Sequence, residues 1–182
     1  MTSWREVVAT GILSGLVASF LWLLLFRRFR PKIQISEQIA LSRLDGPISY
    51  RVKVLNKSRF DLLDMRLEFT LVEPRNMPGG TIYHRVPLSV RPAELVVLPA
   101  KPWMAWRDKK KFPDATRIKL DEDLDAVWTD RLHTNLRLRI SGKHSLSGVG
   151  RSFEVEFHEG SCIVEGSFRT GRVMEIVRDP AT

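Results

Sequence analysis

The side chains that could carry acid–base, nucleophilic or metal chemistry lie far apart in this sequence. The four histidines show no metal-ligand spacing to one another: His84, His133, His144 and His158. Cys162, the only cysteine, has apolar neighbours, which favours a buried structural thiol over a nucleophile. The H-E-x-x-H, C-x-x-C, G-x-S-x-G and P-loop signatures do not occur. We therefore predict no enzymatic activity, no metal and no cofactor.

Basic residues are the chemical group that the sequence does concentrate. Lys and Arg number 29 against 21 Asp and Glu, a net charge of +8, which favours anionic lipid or nucleic acid as partner. One cluster comprises Arg27, Arg28, Arg30 and Lys32. A second segment, residues 101–119, mixes seven Lys or Arg with Trp103, Trp106 and Phe112. Such a mixture can bind nucleic acid or lipid headgroups, but a solvated loop with packed aromatics is the favoured interpretation.

The first basic cluster follows an uncharged apolar segment, residues 7–26. Twenty helical residues span roughly 30 Å, the thickness of a bilayer's hydrocarbon core. A secretory signal is the competing interpretation. The length of the segment, the missing A-x-A cleavage site and the basic block after it favour a retained transmembrane helix. Residues 1–6 then precede the helix, and residues 27–32 form a basic tether.

The charges that flank this helix predict its orientation, and its small residues predict a possible association surface. We expect the helix to span the cell (inner) membrane. The positive-inside rule then places the tether in the cytoplasm and the short N-terminus on the opposite, outer side. Gly11, Gly15 and Ser19 recur every four residues and share one helix face, where small side chains let a second helix approach closely. Alternatively, they only reflect how common Gly and Ser are in membrane helices.

The remaining chain predicts an all-β domain over residues 33–177, followed by a tail, residues 178–182. Its apolar residues alternate with polar ones, the pattern of half-buried antiparallel strands. In one strand Tyr50, Val52 and Val54 are predicted to face inward, and Arg51 and Lys53 outward. The same pattern puts three further sets inward: Met65, Leu67, Phe69 and Leu71; Leu136, Leu138 and Ile140; Phe153, Val155 and Phe157. Such strands suggest a β-sandwich or barrel.

Turn residues delimit these strands. Residues 45–47 separate the first two, residues 74–80 break the chain after the third, and residues 145–150 join two strands as a hairpin. Residues 120–128 begin with acidic side chains and predict the one helix of this domain.

The order of these segments resembles that of the inward-rectifier potassium channels, where the inner helix passes into the cytoplasmic domain. The matching pieces are "RPKIQIS", the "DG" turn, "YRVKVLNKSRFDLLDMRLEF" and residues 136–176, so that the resemblance covers about residues 27–177. It implies an immunoglobulin-like β-sandwich and assembly into an oligomer.

The resemblance also implies that Arg30 and Lys32, with Arg27 and Arg28, contact anionic phosphoinositide headgroups. Lys109, Lys110 and Lys111 would add to that surface if their segment faces the membrane. Alternatively, the basic tether only determines topology.

The sequence lacks several features of this family, so the family's channel activity cannot be inferred for this chain. The sequence has one apolar helix instead of two and no T-x-G-Y/F-G filter, and the tryptophan of the W-G-x-x-F segment is replaced, since residues 164–168 read VEGSF. Without filter carbonyls the chain cannot select potassium by itself. The prediction is a non-enzymatic regulatory or assembly subunit, or an anionic-lipid sensor, that forms homo-oligomers or binds another membrane protein. The alternatives are a reduced channel that conducts as an oligomer and, least favoured, a membrane-anchored nucleic-acid-binding module.

Overall fold

A computed structural model describes residues 3–28, 30–43, 48–100, 115–129, 133–158 and 160–178. It begins with one long helix, α1 (Trp4–Arg28). Within α1, Val7–Leu25 has a mean hydropathy of 2.1, and none of it is buried against the rest of the chain. The hydroxyls of Ser14 and Ser19 donate to the carbonyls of Gly11 and Gly15 at 2.9 and 2.8 Å, so both hydroxyls are satisfied within the helix. By length and apolarity, α1 fits a membrane span or a signal sequence.

The rest of the described chain is mainly β-structure in two larger sheets. The strands of sheet A are β1 (Ile33–Ile35), β2 (Ile39–Ser42), β3 (Ser49–Asn56), β6 (Val90–Arg91), β8 (Ala115–Leu120) and β11 (Ile163–Glu165). Their order in the sheet is β11-β2-β3-β8-β6, and β1 also pairs with β3. All its pairings are antiparallel except that of β11 with β2.

The strands of sheet B are β4 (Leu62–Met77), β5 (Gly80–Leu88), β7 (Glu94–Leu98), β9 (Asn135–His144) and β10 (Gly150–Phe157). The sheet is antiparallel with the order β10-β9-β4-β5, and β7 also pairs with β4. The predicted hairpin at residues 145–150 is confirmed, because β9 and β10 pair directly across it.

The two sheets enclose one apolar core, which confirms the prediction of a β-rich sandwich after an apolar helix. The core includes the inward residues predicted on β3, β4 and β9, and its largest buried side chain is Trp128. On β10, Phe157 is buried while Phe153 and Val155 are half-buried. Cys162 is half-buried against the same core, less buried than predicted.

A small C-terminal hairpin covers part of the outer face of sheet A. It consists of β12 (Ser167–Phe168) and β13 (Ile176–Val177). Lys53 Nζ donates to the carbonyls of Arg169 and Val173 at 2.6 and 2.8 Å, and Arg117 donates to that of Phe168 at 2.7 Å. The prediction that Lys53 faces solvent is therefore wrong: its side chain does point to the outer face, but the hairpin buries it to 2% exposure. Burial, and secondly the charge of Arg117, lower the pKa of Lys53.

Two predicted boundaries are also wrong. Strand β4 does not break at Pro74 but continues to Met77. Beyond Val72 it pairs only with β5, and proline is tolerated at such an edge position. The predicted helix at residues 120–128 is reduced to α2 (Leu124–Val127), because Leu120 completes β8 and Asp123 caps the helix by accepting the N–H of Asp125.

Candidate functional site

The sandwich is fixed to the chain that leaves α1 at one end, which we call the helix-proximal end. The N–H of Lys32 donates to Ser58 Oγ at 2.8 Å, and the N–H of Lys57 donates to the Lys32 carbonyl at 2.9 Å. The next residue, Ile33, starts β1 and pairs with Asn56 at the end of β3. The domain is thus held to the connecting chain within four residues of the end of α1.

A buried amide organises the loop that receives this connection. Asn56 is fully buried, and its Nδ2 donates to the carbonyls of Phe60 and Leu98 at 3.1 and 2.9 Å. Its Oδ1 accepts the N–H of Ser58 at 2.7 Å. Because all these bonds join the loop after β3 to both sheets, the loop has a fixed shape and its exposed side chains have fixed positions.

Four cations are exposed at the helix-proximal end: Arg30, Lys32, Lys57 and Arg59. The first two are predicted from the sequence and the other two are not, although "NKSR" (residues 56–59) at the end of a strand was a usable signal. The one carboxylate of this loop, Asp61, accepts the N–H of Ala100 at 2.7 Å. Arg27 and Arg28 form the last turn of α1, but their side chains lie outside the described residues.

The predicted lipid contacts Lys109, Lys110 and Lys111 also lie outside the described residues, but both flanks of their segment are described. Ala100 is bonded to Asp61 in the loop after β3. Ala115 pairs with Leu55, one residue before the end of β3. The two described flanks, Ala100 and Ala115, therefore both lie at the helix-proximal end.

The predicted association face of α1 is accessible in the single chain. Gly11, Gly15 and Ser19 are exposed, and a Cβ built on either glycine would meet no atom within 4 Å. This face could therefore accept a second helix at close range, and its association stays a prediction.

Potential catalytic groups are not assembled into a recognisable centre in the described part of the chain. No three His, Cys, Asp or Glu among these residues could hold a metal ion. Ser147 Oγ lies 3.2 Å from His144 Nδ1, but His144 is 2% exposed and the same nitrogen accepts the N–H of Ser147, so this contact closes the β9–β10 turn. His84, His133 and His158 are exposed and lie on separate elements.

A groove of about 590 Å³ crosses β4, β7, β9 and β10. Four of its five charged side chains form exposed ion pairs, Lys143 with Asp64 at 3.2 Å and Arg66 with Glu94 at 3.6 Å, and the fifth, Arg151, lies over the ring of Phe153 at 5.0 Å from the centroid. Charges neutralised in this way offer little to a charged ligand. The helix-proximal end is therefore the better candidate, as a binding surface rather than a reaction centre.

Comparison with known proteins adds no family to this picture. No protein-family model matches the sequence, and a search of curated proteins finds no match either. The resemblance to inward-rectifier channels accordingly stays a prediction.

Proposed function

We propose that this protein is a non-enzymatic single-pass membrane protein whose cytoplasmic β-sandwich binds anionic lipid headgroups through its helix-proximal end. The observation that carries the proposal is the short, fixed connection. From Arg28 to Lys32 an extended chain reaches at most about 14 Å. If α1 spans the bilayer, this end of the sandwich stays close to the headgroups, less than two Debye lengths away at roughly 8 Å each.

Exposed side chains at this end suit a membrane surface. Arg30, Lys32, Lys57 and Arg59 can each contribute roughly 1 kcal/mol next to an anionic leaflet. The β9–β10 turn joins the same end, since the N–H of Ser145 donates to the Asp61 carbonyl at 3.0 Å. Its Leu146 is 56% exposed and can enter the interfacial region, so charge and apolar area support the same orientation.

The type of β-sandwich and the role as a subunit are proposed from the resemblance to inward-rectifier channels. Two sheets around one core support an immunoglobulin-like sandwich of channel type, and the open face at Gly11, Gly15 and Ser19 supports a role as a regulatory or assembly subunit. Cross-linking in the native membrane followed by mass spectrometry tests this role. Recovery of either a defined homo-oligomer or a stoichiometric membrane partner is expected, and a strictly monomeric protein contradicts it.

The lipid proposal is tested with full-length protein in nanodiscs of phosphatidylcholine, with and without a phosphoinositide. We expect the anionic lipid to slow amide hydrogen exchange in residues 56–60 and 145–149. The double substitution Lys57→Gln/Arg59→Gln should remove most of this protection. Arg75→Gln/Arg85→Gln, which removes two exposed cations from β4 and β5, is the matched control and should leave it intact.

The membrane anchor has a separate test. Protein extracted from membranes should retain residues 7–26, which mass spectrometry of its N-terminal peptides detects. A mature protein shortened by a signal-peptide length would contradict the anchor. Equal exchange in both kinds of nanodisc would contradict lipid binding while leaving the anchor in place.

A further inference from the structure

Strands β4 and β5 continue beyond the sandwich as a two-stranded ribbon, residues 73–85. Past Val72, β4 pairs with no strand other than β5 in the described part of the chain. Large apolar side chains project from the ribbon into solvent, with Met77, Ile82 and Tyr83 exposed to 56%, 51% and 68%. A two-stranded ribbon on its own is only marginally stable in water. The ribbon therefore favours contact with a further strand.

A proline in β5 determines which backbone groups of this strand are free. Pro87 lies opposite Thr70 and has no N–H, so the two residues do not form a hydrogen-bonded pair. Hydrogen-bonded and non-hydrogen-bonded pairs alternate along antiparallel strands. In steps of two residues from Pro87, the N–H and C=O groups of Arg85, Tyr83 and Thr81 therefore also point away from β4.

These groups form an open edge of sheet B. Thr81, Tyr83 and Arg85 are exposed, and no other backbone hydrogen bond reaches them from the described residues. Their donors and acceptors repeat about every 6.8 Å along the edge. A second extended backbone has the same repeat, whereas a helix satisfies its backbone groups internally. The edge is therefore complementary to an added β-strand.

A second copy of this chain is a poor occupant of this edge. Strand β4 starts at the helix-proximal end, so β5 runs back towards that end. The β5 strands of two copies anchored in one membrane point the same way and can pair only as parallel strands, the less stable arrangement. On the other edge of the ribbon, Pro74 lies opposite Tyr83 and offers no N–H. These steps rest on the membrane anchor proposed above and favour a strand from a different protein.

Side chains of the ribbon indicate the chemistry of that strand. Glu73 is the one carboxylate of the ribbon, and it is shared by Arg75 at 3.4 Å and His84 at 3.8 Å. Arg85 has no ion pair in the described part of the chain and lies on the opposite face from the exposed Ile82. A complementary strand thus carries a carboxylate beside Arg85 and apolar side chains beside Ile82.

We infer that the open edge of β5 binds an extended segment of a partner protein, which adds a strand to sheet B. From Leu62 to Asn76, opposite Thr81, β4 rises by roughly 45 Å. The edge therefore lies far from the helix-proximal end, and its partner is distinct from the lipid surface.

The test uses full-length protein in phosphatidylcholine nanodiscs and a fluorescein-labelled peptide in which Val alternates with Glu and Thr. Fluorescence anisotropy should register binding of this peptide. The same peptide N-methylated at two adjacent central residues should not bind, because neither of its edges can then pair. Tyr83→Pro removes an N–H that β4 does not use and should weaken binding about tenfold. Tyr83→Val keeps this N–H and should weaken binding by no more than about threefold.

Three results would overturn the inference: no peptide binding, equal binding of the N-methylated peptide, or equal losses in Tyr83→Pro and Tyr83→Val. Hydrogen exchange in residues 72–77 shows whether the ribbon persists in Tyr83→Pro. If it does not, Arg85→Pro, which removes the next free N–H of the same edge, takes its place. An oligomer that Tyr83→Pro dissociates in the absence of peptide would assign the edge to a second copy instead. The nanodiscs contain no anionic lipid, so failure of the lipid proposal leaves this test unaffected.

Discussion

Lys53 on β3 and Arg117 on β8 lie directly opposite each other, and both donate to backbone carbonyls of the C-terminal hairpin. Two adjacent cations repel, but each satisfies carbonyls that the covering segment would otherwise bury without partners. The pair thus fastens the end of the chain to the side of the sandwich.

The fastening role predicts the effect of Lys53→Met. The carbonyls of Arg169 and Val173 lose their donor, which should destabilise the hairpin by about 1–3 kcal/mol, partly offset because a buried charge is removed. Amide hydrogen exchange should accelerate across residues 167–177, and trypsin should cleave sooner at Arg169 and Arg172. Lys119→Met on the neighbouring strand is the control. Unchanged exchange in the hairpin would show that Lys53 does not hold it.

Charges that lie opposite one another on neighbouring strands differ between the two sheets. This difference predicts opposite effects of two matched substitutions on the free energy of unfolding. Lys119→Glu places a carboxylate between Arg51 and Arg91 and should raise the free energy of unfolding by roughly 0.5–1 kcal/mol. Arg139→Glu places one between Glu68 and Glu154 and should lower it by a similar amount. Urea denaturation of both variants at low salt measures the difference. Effects of the same sign would contradict the assignment of charge to the two outer faces.

Acidification should destabilise the sandwich through His144. Its imidazole is buried beside Phe60, and its Nδ1 accepts the N–H of Ser147, so burial lowers the pKa of His144. The unfolded chain takes up a proton near pH 6.5, before the folded one does. The contribution of the neutral imidazole is therefore complete above about pH 6.5 and is lost as the pH falls below it.

Thermal unfolding between about pH 7 and pH 5 measures this effect. His144→Gln should unfold at a lower temperature at neutral pH but show a flatter dependence on pH. His158→Gln, at an exposed histidine, should keep the wild-type dependence. An unchanged slope in His144→Gln would assign the acid sensitivity to other groups.

The alternation of apolar and polar residues predicted which side chains of a strand face the core. Alternation placed Leu67 and Leu138 in the core because one face of each strand packs on the opposite sheet. It failed for Lys53, since the segment that buries this side chain lies more than a hundred residues further along the chain. The same limit applies to the site. Arg30 and Lys32 follow α1 directly, whereas Lys57 and Arg59 join them only through the hydrogen bonds between Lys32 and the loop after β3.

Gly166 connects β11 to the C-terminal hairpin, and its substitution is predicted to lower the stability of the protein strongly. This residue has φ +134°, and a Cβ there would clash with the Val177 carbonyl oxygen. Gly166→Ala must therefore move β13 as well as strain its own backbone, and we expect a loss of roughly 3 kcal/mol or more. Gly171→Ala is the matched control, because φ is +84° there but a Cβ meets no atom within 4 Å, so only about 1 kcal/mol should be lost. Urea denaturation and hydrogen exchange in β13 compare the two variants, and equal losses would contradict the close contact with Val177.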